Sequence, residues 1–153
     1  MEKLELRVPP PAAAILVAVA MWLAAYAFDA LAFALPWRRA ITIVLVALGI
    51  AISAAGTLSF VRARTTVNPT RPEAASSLVA TGIFRFTRNP MYLGLFLVLA
   101  AWAAHLANAA ALPGPLLFAI YVTRFQILPE ERVLAKKFGP DFDAYKRRTR
   151  RWI

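Results

Sequence analysis

Three stretches hold the side chains that could do chemistry. Glu130 and Glu131 are adjacent and stand between Arg124 and Arg132. Such a carboxylate pair could bind a cation at the membrane surface; equally, acids are favoured at a solvated helix N-terminus. Arg88-Asn89-Pro90, with Tyr92 just beyond, is the second stretch. Asn89 suits a helix cap and Pro90 the first helical turn. Tyr92 suits the aromatic belt of a membrane interface, although the same three could line a polar site. The third is Leu78-Val79 with Gly82, a glycine-punctuated loop just ahead. Arg124 could bind an anionic group, or snorkel to lipid phosphates. There is no cysteine and the single histidine is His105. Disulfides, thiolate nucleophiles and multi-histidine metal sites are therefore excluded, and no metal site is expected.

The elements that must position these residues are hydrophobic. Of 153 residues, 60% are hydrophobic and 17% charged, and mean hydropathy is +0.59. Soluble domains carry about 25% charged residues, and a chain this short cannot hide so much apolar surface. The expected fold is an all-α integral membrane protein with about four transmembrane helices in one domain. Pro11 to Leu35 contains one charge, Asp29, and is long enough to cross a bilayer. Ala25-Tyr26-Ala27 looks like a signal-peptide cleavage site, but the tip ahead of it mixes Glu2 and Glu5 with Lys3 and Arg7. A retained span over 11–35 is expected. A second runs over 40–61. Met91 to Thr123 has no formal charge and as one helix would be about 50 Å long. Pro113-Gly114-Pro115 interrupts it, so the expectation is a hairpin of helices near 91–108 and 113–128. Between spans two and three, 62–89 forms a loop in which Asn68-Pro69 and Arg71-Pro72 force extended or turn backbone. Residues 129–153 form two helices split at Gly139-Pro140. The last, amphipathic, with Phe142, Tyr145 and Trp152 near one face among basic residues, reads as an interfacial helix on the anionic leaflet.

Charge sets the orientation. The net charge is +10, with a pI of about 11.1. In a four-span topology, fifteen of the eighteen lysines and arginines share one side, and only Arg38 and Arg39 occupy the other. Both termini are expected to be cytoplasmic by the positive-inside rule. Topology and attraction to membrane lipid account for the basic excess, so no nucleic-acid partner is expected. Asp29 and His105 fall near the opposite ends of their helices and belong to no expected site.

Read in order, the stretches Leu78-Val79, Gly82-Ile83-Phe84, Arg88-Asn89-Pro90-Met91-Tyr92-Leu93-Gly94, Glu130-Glu131 and Phe138-Gly139-Pro140-Asp141-Phe142-Asp143-Ala144-Tyr145 resemble the isoprenylcysteine carboxyl methyltransferases and the related phospholipid methyltransferases. The likeness runs from Leu78 to Trp152. Asn89 stands where the family usually has histidine, and Phe142 where it has tyrosine. The resemblance implies a membrane enzyme using S-adenosylmethionine. Glu130 and Glu131 would hold the cofactor's amino group or ribose, with Arg88, Asn89, Pro90 and Tyr92 near its carboxylate and adenosine. The Leu78, Val79 and Gly82 backbone would close over it. Arg124 and Glu130 are the expected catalytic residues, and the acceptor a lipophilic or prenylated molecule. The looked-for setting is a bacterial inner membrane. The alternative is a non-enzymatic helical bundle or transport subunit that binds anionic lipid through its basic cytoplasmic surface. A transporter places ionisable groups in mid-membrane; here they gather at one edge.

Overall fold

The computed structural model describes residues 5–64 and 77–153. Lys3, the Asn68-Pro69 and Arg71-Pro72 turns and Arg71 lie outside the described residues. Among the described residues six α-helices follow one another: α1 Pro10–Ala27, α2 Arg38–Arg62, α3 Pro90–Leu106, α4 Pro113–Val122, α5 Leu128–Phe138 and α6 Pro140–Arg148. Proline opens α1, α3, α4 and α6 at the first turn, where its missing N–H costs nothing. Among the described residues three helical stretches are long and apolar enough to cross a membrane: Pro10–Ala27, Arg38–Arg62 and Ala109–Phe138; α3 is apolar but has 17 residues. Ile15, Leu16, Ile43, Val44, Leu116 and Ile120 all face outward and are more than half exposed. Apolar surface that extensive suits lipid.

Several boundaries differ from expectation. The first helix ends at Ala27, and Asp29–Leu31 forms a short 3-10 turn instead of continuing to Leu35. Buried Asn108 explains the stop. Its side-chain amide donates to the Ala25 and Phe28 carbonyls, at 3.3 and 2.9 Å, satisfying two groups at that helix end. Phe33 N–H then donates to the Ala107 carbonyl at 2.9 Å, pinning the connection to the hairpin tip. The hairpin itself is present, but its second arm does not stop near Pro129. Residues Thr123–Ile127 form a π-helical turn, with Leu128 N–H donating to the Thr123 carbonyl, and carry α4 directly into α5. The wider turn accommodates Pro129, which has no N–H for the Phe125 carbonyl. Leu6 N–H donates to that carbonyl instead, at 3.0 Å.

α2 and α3 pack along a seam of small residues. A Cβ on Gly49 would lie 2.7 Å from the Gly94 carbonyl oxygen, and one on Gly56 3.0 Å from the Pro90 ring. Gly49, Ser53 and Gly56 fall on one helical stripe, the close-approach pattern of membrane helix pairs. The membrane core sits on the other side of α3, where Met21, Leu99, Phe118, Val122 and Ile127 are buried together. A second cluster, Val79, Phe84, Phe142 and Tyr145, lies at the end that carries the charged loops.

That second cluster corrects the expectation for the last helix. α6 ends at Arg148, so Trp152 is not on it. Phe142 and Tyr145 are 2% and 5% exposed and pack on the Leu78–Phe84 loop, not into lipid. α6 is amphipathic, but its apolar face meets protein. Gly139 turns the chain between α5 and α6 at φ 49°, a value that suits glycine.

Candidate active site

The second cluster frames a cleft of about 110 Å³. It is lined by Leu78, Val79, Arg88, Asn89, Glu130 and Glu131, over an apolar floor that includes Phe60, Phe84 and Phe142. Three elements deliver the polar residues. The Gly82–Arg85 3-10 turn, entered at φ 61° on Gly82, swings the chain toward α3. Pro90 starts α3 and thereby sets Arg88 and Asn89 at its mouth. The π-turn advances the phase of α5 so that Glu130 and Glu131 reach the same cleft.

The two carboxylates have different partners. Tyr92 donates its hydroxyl to Glu130 Oε1 at 2.5 Å. Glu131 accepts from Arg88 Nη2 at 2.9 Å and from Arg151 Nε and Nη2 at 3.1 and 2.8 Å. The Arg151 fork is bidentate, and its bond to Glu131 raises the guanidinium's pKa. Arg88 Nη1 also donates to the Lys146 carbonyl at 3.3 Å, while its Nε is buried and has no partner among the described residues. Tyr145 donates to the Phe84 carbonyl at 2.8 Å. Burial pushes its hydroxyl pKa above the ordinary value, keeping it a donor.

The chain's last residues close one side. Arg88 N–H donates to the Arg150 carbonyl at 3.0 Å. Thr87 Oγ1 and Asn89 Nδ2 donate to the Arg151 carbonyl at 3.3 and 2.9 Å. Asn89 occupies the cap position of α3 but makes no side-chain cap bond. Its side-chain amide donates instead to the C-terminal tail, and Thr87 Oγ1 accepts the Asn89 N–H at 3.1 Å.

Of the expected site residues, Leu78, Val79, Arg88, Asn89, Glu130 and Glu131 therefore meet at one cleft. Pro90 and Tyr92 stand behind it, Tyr92 reaching it only through Glu130. Gly82 shapes the loop without lining the cleft. Arg124 is elsewhere: it sits in the π-turn, on the lining of an apolar groove of about 680 Å³. Leu93, Phe96, Leu116, Ile120, Leu128 and Trp152 share that groove. Trp152 is fixed there by an Nε1–H bond to Thr123 Oγ1 at 3.2 Å. The tail thus touches both spaces, Arg151 through Glu131 and Trp152 directly. Asp29 makes no ion pair with Arg38 or Arg39 among the described residues, and His105 stacks on Trp102 with ring centroids 5.2 Å apart. Both lie outside the site.

Sequence reasoning did not place Phe60, Phe84, Arg151 or Trp152 here. Phe84 carried a signal in the Gly82-Ile83-Phe84 stretch, but Arg151 read only as one of several basic tail residues.

No solved structure matches the chain. An uncharacterised protein of Haemophilus influenzae is 43% identical over 63 residues, covering 41% of this chain and all of that protein. The family model described as phospholipid methyltransferase matches residues 37–141, from the start of α2 to the start of α6. That span covers well over half the sequence and includes both carboxylates, Arg88 and the small-residue seam, so the chain belongs to the phospholipid methyltransferase family of membrane methyltransferases.

Proposed function

We propose that the protein transfers a methyl group from S-adenosylmethionine to a lipophilic acceptor, an isoprenylcysteine-type carboxylate or related lipid, drawn from the bilayer. The observation that carries this reading is the cleft itself. Two adjacent carboxylates and a guanidinium with an unpartnered buried Nε face an apolar aromatic floor. That donor set fits the cofactor group by group: Glu130 and Glu131 suit its ammonium or ribose hydroxyls, Arg88 its carboxylate, and Phe60, Phe84 and Val79 its adenine. Asn89, Pro90 and Tyr92 support these groups, and Leu78 and the Gly82 turn shape the rim. The free space is smaller than the roughly 300–1,000 Å³ of typical small-molecule sites, so occupancy requires the cleft to widen.

When bound, S-adenosylmethionine supplies an electrophilic methyl on a sulfonium. The chain's own work is alignment, charge and exclusion of water. Glu130, fixed by Tyr92, presents its carboxyl to the cleft. Arg124 orients an anionic acceptor at the groove, and a carboxylate nucleophile needs no general base. The groove's apolar wall admits the acceptor's chain sideways from lipid. The distribution of basic residues supports a membrane orientation with both termini cytoplasmic, and neither nucleic acid nor metal enters the reading.

Calorimetry of detergent-purified protein with S-adenosylmethionine and S-adenosylhomocysteine tests this. Binding is expected, and Glu130→Gln should weaken it roughly ten- to a hundredfold, the loss of one charge-assisted bond. Folded protein that binds neither compound would refute the assignment.

A further inference from the structure

Arg124 and Arg132 are not idle. The Glu5 carboxylate bridges them, accepting from Arg124 Nη1 at 3.0 Å with one oxygen and from Arg132 Nη2 with the other. Side-chain exposure is 42% for Arg124 and 60% for Arg132, against 14% for Glu5. The Arg124 bond, with Arg132 adding to it, holds the Glu5 carboxyl below the usual carboxylate range although burial opposes this. The strap that carries Glu5 is docked without it. Leu6 N–H occupies the Phe125 carbonyl, and Gln126 Nε2 donates to the Val8 carbonyl at 2.8 Å. The bridging carboxylate is therefore an addition to an already anchored strap, and its two oxygens show the arginine spacing to suit a two-oxygen anion. Arg124 is at the same time the charged residue lining the 680 Å³ apolar groove.

We propose that the Arg124–Arg132 pair is a binding site for the anionic head of an amphiphile whose chain lies in the groove, and that Glu5 is its resident internal competitor. The head is a carboxylate or a phosphate. It deepens the proposed function by naming the head that the groove selects, and rests on that groove admitting a lipid chain. Anion entry displaces the Glu5 carboxylate, so head binding and the Glu5 bridge exclude one another while the strap stays docked through Leu6 and Gln126.

The full chain in neutral detergent is titrated with oleate, with phosphatidic acid, with oleyl alcohol and with inorganic phosphate, following tryptophan emission because Trp152 lines the groove. Glu5→Gln should tighten oleate or phosphatidic acid about two- to fivefold, the release of one partly exposed pair. Adding Arg132→Ala should reverse the gain. Oleyl alcohol should respond to neither change. A response to oleate identifies a carboxylate head, and one confined to phosphatidic acid a membrane phospholipid. Unchanged or weaker binding of both in Glu5→Gln overturns the proposal. So does an equal response of oleyl alcohol, which would mean a loosened helix end, or inorganic phosphate binding as tightly as the amphiphiles, which would leave the groove no part. No cofactor enters the titration, so failure of methyl transfer leaves this result intact.

Discussion

Glu131→Gln is the perturbation that separates a structural carboxylate from its neighbour. Glu131 is bound by Arg88 and by the Arg151 fork, with side-chain exposures of 15%, 11% and 35% respectively. Glutamine keeps the shape and one acceptor oxygen but removes the charge that two guanidiniums share. A hydrogen bond to a charged group contributes about 1.5–3 kcal/mol. The Arg88 bond is nearly buried and carries that amount in full. Solvent screens the Arg151 pair toward the roughly 0.2–1 kcal/mol of exposed pairs. The expected cost is about 2–4 kcal/mol. It should be read in mixed-micelle denaturation of the purified protein, with Arg151→Ala and the double variant completing a cycle. Coupling should be clear, since Arg151 in the single variant faces an amide. Glu130→Gln should cost far less, because Tyr92 still finds an acceptor. Stability of Glu131→Gln equal to the parent, or strict additivity with Arg151→Ala, would refute the clamp.

Gly94→Ala places a methyl 2.5 Å from the Gly49 carbonyl oxygen and should destabilise the α2–α3 pair by about 1–3 kcal/mol; parent-like stability by denaturation would contradict the seam. Asn89→Asp loses the donor that holds the Arg151 carbonyl and should lower stability by roughly 1–3 kcal/mol, whereas Asn89→His retains an N–H and should be tolerated; equal melting of the two variants would count against this. In a chain without cysteine, Lys136→Cys should be shielded from an impermeant maleimide in intact cells and Trp37→Cys labelled; the reverse pattern would overturn the cytoplasmic termini. Because the Glu5 carboxyl is held low chiefly by Arg124, its contribution to strap docking is complete above the unfolded value of about 4.3 and lost as pH falls through the folded one. Hydrogen exchange at Leu6 should accelerate only below that range, and acceleration near neutrality would point elsewhere.

Much of this architecture was legible because hydropathy and proline act locally. The uncharged runs became helices, and Pro113 and Pro115 made the hairpin that the sequence predicts. Arg88 reaches the cleft because it lies beside the start of α3, whose position Pro90 sets. The errors are of another kind. The stop at Ala27 depends on Asn108, more than 80 residues away, and no local pattern announces it. Asn89 read as a cap because asparagine caps well; its amide went to a carbonyl of the tail, which only tertiary return could bring near.

The π-turn is where local and distant causes meet. Pro129 alone predicts an interruption, and a break there would point α5 away and leave Glu130 outside the cleft. One wider turn keeps the rod continuous, and its freed Phe125 carbonyl is taken by the N-terminal strap. The same turn sets Thr123 against Trp152 and Arg124 against Glu5. Both ends of the chain are thus fastened to the residues that join the apolar groove to the carboxylate cleft. A substitution that restored regular α-helical pitch through Thr123–Ile127 would have to move both straps and rotate Glu130 together, which makes this turn, more than any single carboxylate, the element on which the site's geometry depends.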